Sequence, residues 1–242
     1  MPTDRPAPAA QPPVTLHLVR HGRTVYNTQG RLQGWCDSPL TPEGLLGVRA
    51  TADHLRGLSF AAAYASPSGR TVTTAQEILV HHPGTPLTTD PGLREFSFGD
   101  YEAGPEEALF SQFSGYSMFR SVLEGTFEGL PGGEPGPEYL PRVRRIFSAI
   151  ERAHQPGENV LVVSHGMTLM AYLAMIGGVR PDRLTPLANA SVTTVEVAGD
   201  GTTTVTAIGY DPSGAAAPER SEPLDDEASA ARYLATEGEV AR

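Results

Sequence analysis

The stretch Val14-Thr15-Leu16-His17-Leu18-Val19-Arg20-His21-Gly22-Arg23-Thr24-Val25-Tyr26-Asn27 decides how the rest of the chain is read. Leu16, Leu18 and Val19 suit a buried strand over Val14–Val19. The apolar run stops at Arg20-His21-Gly22, and polar residues with a glycine suit a loop leaving the strand's carboxyl end. In open α/β sheets that edge is where ligands bind. Arg20 offers a planar fork of donors for phosphate oxygens. His21 offers an imidazole that can accept a phosphoryl group. Gly22 is expected to let the backbone approach a ligand closely.

Outward from this stretch, strands and helices alternate. Arg20–Leu40 reads as a long loop carrying Thr24, Asn27, Arg31, Gln33, Trp35 and Asp37. Thr41-Pro42-Glu43 signals a helix start, with the helix running to Arg56. Phe60–Ala65 reads as a second buried strand, and Ser68–Val80 as a helix with Arg70 in its first turn. Pro86–Asp90 is a connector or edge strand, and Leu93–Gly99 a loop. Glu106–Gly125 is expected to be helical, in one or two pieces, and Glu138–His154 is the next helix. Asn159–Val163 is a third buried strand, stopping at Ser164-His165-Gly166, and Met167–Ile176 is a helix ending at Gly177-Gly178. Ser191–Ala198 and Thr202–Gly209 pair as a hairpin about Gly199-Asp200-Gly201. This alternation predicts an α/β layered fold. One domain is expected over residues 14–210, with residues 101–133 an excursion over the site. Residues 1–13 read as a disordered arm, and 211–242 as an acidic, Ala/Pro-rich tail.

Composition narrows the function. The 242 residues carry a net charge of −10, which argues against a nucleic-acid surface. All 18 basic residues are arginine, which removes Schiff-base chemistry and a P-loop lysine. The single cysteine, Cys36, permits no intrachain disulfide and favours a reducing, cytoplasmic setting. The first 13 residues lack the apolar core of a signal peptide. No run of apolar residues is long enough to span a membrane. No metal-ligand spacing is present.

Two strands end alike, in Val19-Arg20-His21-Gly22 and Val163-Ser164-His165-Gly166. If they are parallel neighbours, His21 and His165 emerge at one sheet edge. A phosphoryl group between them would meet one imidazole as nucleophile and the other as donor. Arg20 and Arg70 would then supply the charge that stabilises the transferring group.

With these motifs the chain resembles the histidine phosphatase superfamily, in the branch of the cofactor-dependent phosphoglycerate mutases and their phosphatase relatives. The resemblance rests on Leu18–Thr24 with Asn27, on Ala65-Ser66-Pro67 with Arg70 and Thr74-Ala75, on Leu93-Arg94-Glu95 with Phe98-Gly99 and Tyr101-Glu102, and on Val163–Gly166. It implies a three-layer α/β/α sandwich with a mostly parallel central sheet and a helical lid. It implies that His21 is phosphorylated, that Arg20, Arg70 and His165 with Gly166 hold the phosphoryl oxygens, and that Glu95 is the proton donor. Glu102 is a rival for that last role. Thr24 and Asn27 match positions that contact phosphate or brace the loop, and Gln33 is a further substrate-binding candidate. Neither cofactor nor metal is implied, and the expected partner is a small phosphate ester. The hairpin edge is offered to a second copy of the chain.

Three activities remain open on this reading: hydrolysis of a phosphomonoester, phosphoglycerate mutation, and a silent binding role. From Glu102 to Glu134 the only basic residue is Arg120, among several glutamates and aromatics. A mutase would need more cations there, so hydrolysis leads.

Overall fold

The computed structural model describes residues 11–112, 114–176 and 186–214. Expectations for residues 1–10, for Phe113, for the helix end at Gly177-Gly178 and for the tail from residue 215 lie outside the described residues.

β1 (Val14–Arg20) lies inside a six-stranded sheet. Short helix α1 (Val25–Thr28) follows, inside the stretch expected to be loop. Its cause is local: Thr24 Oγ1 accepts the N–H of Asn27, and Asn27 Oδ1 accepts the N–H of Thr24, a reciprocal cap. α2 (Pro42–Leu55) starts where Thr41 accepts the Gly44 N–H, with Pro42 in its first turn. β2 (Phe60–Ala65), α3 (Gly69–Leu79) and the short edge strand β3 (Leu87–Thr89) come next. The helical stretch beyond is in two pieces, α4 (Glu106–Phe110) and α5 (Gly115–Leu123). α6 (Gly136–Ala153), β4 (Asn159–Ser164), α7 (Gly166–Ile176), β5 (Val192–Val197) and β6 (Thr203–Tyr210) complete the order.

The strand order is β3-β2-β4-β1-β5-β6. β3, β2, β4 and β1 are parallel, while β5 and β6 run antiparallel on the far side of β1. Alternation in β1 and β4 sends Leu16, Leu18, Val160 and Val162 into one core, and Val19, Leu161 and Val163 into another. α2 and α3 cover the second core with Val48, Ala52, Leu55, Ala75 and Ile78. α6 and α7 cover the first with Tyr139, Val143, Phe147, Leu169 and Tyr172. The molecule is therefore an α/β/α sandwich. Leu109, Met118, Phe119 and Val122 bury their side chains in the first core, so α4 and α5 are anchored to it. No helix among the described residues is long and apolar enough to cross a membrane.

Candidate active site

Register places the two strand-end motifs together. Arg20 pairs with Ser164 in the parallel β1–β4 ladder, so His21 and His165 leave the sheet side by side. The His21 N–H donates to Ser164 O at 3.0 Å. The two imidazole centroids lie 5.3 Å apart at 64°.

Hydrogen bonds fix the tautomer of each ring. His21 Nδ1 lies 2.9 Å from Gly22 O. A carbonyl only accepts, so Nδ1 carries the proton and the lone pair is on Nε2. His165 Nδ1 lies 3.0 Å from Arg70 Nη2. A guanidinium only donates, so Nδ1 accepts and the proton of His165 sits on Nε2. That Nε2 is buried with no partner among the described residues. Burial first, then the nearby Arg70 and Arg20, holds the His21 pKa well below the ordinary histidine value, against the bond to Gly22. Burial, then Arg70, His21 and Arg20, does the same for His165. One ring therefore presents a nucleophilic lone pair and the other an N–H donor.

The guanidiniums are held differently. Arg20 Nη1 donates to Leu187 O at 2.5 Å, and its Nε is buried without a partner. Arg70, 1% exposed, donates from Nη1 to Cys36 O and Asp37 Oδ1, and from Nη2 to Gly34 O, Gln33 O and His165 Nδ1. Those bonds engage both Nη groups, and its Nε is the buried donor left without a partner. Three unpartnered donors thus sit in this site: Arg20 Nε, Arg70 Nε and His165 Nε2. A methyl group at Gly166 would lie 3.5 Å from Arg20 Nε and 3.9 Å from Glu95 Oε2, so the start of α7 stands beside both groups.

Glu95 and Glu102, rivals in the sequence, differ in surroundings. Glu95 is buried: Oε1 accepts from the N–H groups of Phe96 and Thr168 and from Thr168 Oγ1, and Oε2 from the Met167 N–H. Burial raises its pKa above the ordinary value despite those bonds. Glu102 instead accepts four backbone N–H groups, from Gly34, Trp35, Cys36 and Phe98. Burial alone would raise its pKa, but these bonds and the Cys36 side chain outweigh that and hold it below the ordinary value. Glu102 is a clamp on the loop. The segment from Gln33 to Asp37 is strung between two residues, with its amides on Glu102 and its carbonyls on Arg70.

Thr24, Asn27 and Gln33 brace this loop. Thr24 Oγ1 donates to Gln33 Oε1 at 2.7 Å, and Gln33 Nε2 reaches Asp37 Oδ1 at 3.3 Å. Asn27 Oδ1 accepts from Thr24 and from Asn189 Nδ2. Gly22 has a packing reason of its own: a methyl group there would lie 2.5 Å from Val48 Cγ2, so the seating of α2 requires a glycine at this position.

Asp37 and Thr74 belong to the loop and the motif read from the sequence, but their partners, and the parts played by Asn189 and Arg142, were not visible there. Asp37 ion-pairs with Arg70 at 2.9 Å. Thr74 Oγ1 accepts the Gly22 N–H, and Asn189 Nδ2 donates to His21 O. Arg142 on α6 pairs with Glu134 and donates to the carbonyls of Gly92, Arg94 and Glu95. The Thr24–Asn27 spacing was the available signal for α1. The other partners are distant in sequence and carry no local signature. Among the described residues, no three His, Cys, Asp or Glu side chains cluster in a way that could hold a metal ion.

Comparison with known proteins shows the family. A protein of Salmonella choleraesuis named "Probable phosphoglycerate mutase GpmB" is 34% identical over 184 residues, 75% of this chain and 84% of that one. A protein of Hydrogenobacter thermophilus named "Putative phosphoserine phosphatase 2" is 33% identical over 194 residues, 78% of this chain and 93% of that one. Among solved structures, Bacillus stearothermophilus YhfR superposes with a TM-score of 0.71 at 31% identity, covering 81% of this chain and 97% of that one. The profile of the histidine phosphatase superfamily (branch 1) matches residues 16–208. That span runs from β1 into β6 and takes in every side chain described above, and the chain belongs to that family.

Proposed function

We propose that this chain is a phosphomonoester hydrolase that works through a phosphohistidine at His21 and draws its positive charge from arginines instead of a metal ion. The observation that carries the reading is the pair of opposed tautomers: a lone pair on His21 Nε2 beside a buried, unpartnered N–H on His165. In the first step His21 Nε2 bonds to phosphorus, the ester P–O bond breaks, and the leaving oxygen takes a proton from Glu95. In the second, water attacks phosphorus, the N–P electron pair returns to Nε2, and Glu95 recovers a proton from the water. Arg20 Nε, Arg70 Nε and His165 Nε2 hold the phosphoryl oxygens, with Gly166 beside them. Thr24, Asn27 and Gln33 act on substrate through the loop that aims Arg70. The substrate is a small phosphorylated metabolite.

A second reading, phosphoglycerate mutation, draws support from the name of the Salmonella relative. Against it, Arg120 is engaged with Glu124 on the exposed face of α5, and Arg142 with Glu134. Neither is presented to a second anionic group of a substrate. The test is incubation with phosphate-labelled esters under a metal chelator, alongside a primed 3-phosphoglycerate exchange assay. The expected result is acid-labile, base-stable label on the wild-type protein, none on His21→Ala, and no exchange. Normal turnover by His21→Ala would sink the mechanism, and loss of wild-type activity to the chelator would sink its metal independence.

A further inference from the structure

Thr168 Oγ1 lies among three oxygens. Arg94 O is 2.8 Å away, Glu95 Oε1 is 3.0 Å away, and the Tyr139 hydroxyl is 3.2 Å away. Tyr139 and Thr168 are both 0% exposed. A threonine hydroxyl has one proton. Neither a backbone carbonyl nor a carboxylate can donate to it. The arrangement therefore closes in one direction: Tyr139 donates to Thr168, and Thr168 donates onward to Glu95 or to Arg94 O. Arg94 O already accepts from Arg142 Nη1 at 2.9 Å, so it does not require that proton. Glu95 Oε1 then takes three donors, from Phe96 N, Thr168 N and Thr168 Oγ1, whereas Oε2 takes one, from Met167 N. An oxygen with three donors has no room for a proton of its own. Oε2, on the side of Gly166 and Arg20, is the oxygen free to carry it.

We propose that Thr168, backed by Tyr139, is the positioning residue of the proton donor: its hydroxyl saturates Glu95 Oε1, so the proton exchanged with the leaving group travels on Oε2. The proposal rests on the reading of Glu95 as the general acid. When Glu95 is ionised, the Thr168 proton points to Oε1. When Oε2 is protonated, Oε1 is the carbonyl oxygen of the acid and goes on accepting from the hydroxyl and the two amides, more weakly than the carboxylate does. The groups that bear on this carboxyl from other elements are Arg70 on α3, Tyr139 and Arg142 on α6, and Arg20 beside Gly166.

The test compares kcat/KM for an aryl phosphate, whose leaving group needs no proton, with that for an alkyl phosphate, whose leaving group does. Wild type, Glu95→Gln, Thr168→Val, Thr168→Ser and Tyr139→Phe are each measured across pH. Glu95→Gln should lose on the order of 10²–10⁴-fold on the alkyl ester and far less on the aryl ester. Thr168→Val should lose about 10- to 100-fold on the alkyl ester alone. Its alkaline limb should move to higher pH, because a donor to the carboxylate has gone. Thr168→Ser should restore both readouts. Tyr139→Phe, which removes only an oxygen, should show the same pattern at smaller size and serves if Thr168→Val does not fold. Equal losses on both esters or an unmoved alkaline limb in the folded variants would overturn the proposal, if Glu95→Gln keeps its leaving-group dependence. Loss of that dependence in Glu95→Gln would overturn the underlying reading instead.

Discussion

Glu102→Gln isolates the loop clamp from the chemistry. Glu102 Oε1 accepts from Trp35 N at 2.8 Å and Phe98 N at 2.9 Å, and Oε2 from Gly34 N at 3.0 Å and Cys36 N at 3.1 Å. Glutamine keeps the shape but replaces one oxygen with a donor. Whichever oxygen goes, two backbone N–H groups lose their acceptor and face another N–H. Hydrogen bonds to a charged group contribute about 1.5–3 kcal/mol each, so two give about 3–6 kcal/mol if the loop stays shut. Trp35 and Asp37 are exposed, so the loop can open to water and recover part of this. The expected net loss is about 2–4 kcal/mol, a fall in Tm of roughly 5–15 °C for a chain of this size. Trp35 is the only tryptophan, and its indole N–H donates to Glu95 O at 3.0 Å. Its emission therefore reports the loop directly. Glu102→Gln should raise acrylamide quenching of Trp35 while far-UV dichroism stays native. It should also lower kcat/KM about 10- to 100-fold as Arg70 loses its carbonyl anchors. In the wild type the Glu102 pKa is depressed, so the clamp's stabilisation is complete above the ordinary glutamate value of about 4.3 and is lost as pH falls through the depressed value. Unchanged Tm and unchanged Trp35 quenching in Glu102→Gln would refute the clamp.

Arg142→Met leaves the buried Glu134 carboxylate unpaired and should cost about 3–5 kcal/mol in urea unfolding. Adding Glu134→Leu should recover much of that stability but not kcat/KM, because the carbonyls of Arg94 and Glu95 still lack the Arg142 guanidinium that ties them together; full recovery of both would count against a role in holding Glu95. Burial first, then His54, depresses the His17 pKa against its bond to Asn159. Its contribution to stability is therefore complete above about pH 6.5 and lost as pH falls, at up to about 1.4 kcal/mol per unit. His17→Gln should flatten the dependence of the urea midpoint between pH 7.5 and 5, and an unchanged slope would contradict this. Gly22→Ala should destabilise by about 1–3 kcal/mol through overpacking against Val48, with Val48→Ala relieving it; a neutral Gly22→Ala would remove the packing argument.

The strand-end pair was legible because its cause is local: an apolar alternation followed by a polar break marks both strand and edge. Arg70 at the start of α3 was legible through its place in the Ala65-Ser66-Pro67 motif, since a helix-start arginine by itself carries no such signal. The α1 turn was missed although Thr24 and Asn27 carry a cap spacing, since a single turn leaves no periodicity. The distinction between Glu95 and Glu102 could not be read from spacing, because both belong to the same motif, seven positions apart. Only the partners differ: the α7 amides for one, the Gln33–Asp37 loop for the other. Arg142 and Thr168 sit on helices whose apolar periodicity explains them adequately as helix residues. Their reach to Arg94 and Glu95 exists only once α6 and α7 pack together.

The parallel register of β1 and β4 has a consequence for how errors in this protein express themselves. Arg20 opposite Ser164 aligns His21 with His165, and the same ladder seats Leu16, Leu18, Val160 and Val162 in one core. A slip of β1 by one residue would turn Leu16 and Leu18 out of that core, bring His17 toward it, and carry His21 away from His165. Alignment of His21 with His165 is thus enforced by the burial of neighbouring aliphatic groups, which have no chemistry of their own. A chain that has folded has, by the same act, set its two imidazoles in place, and selection for stability proofreads the site without any contribution from the substrate.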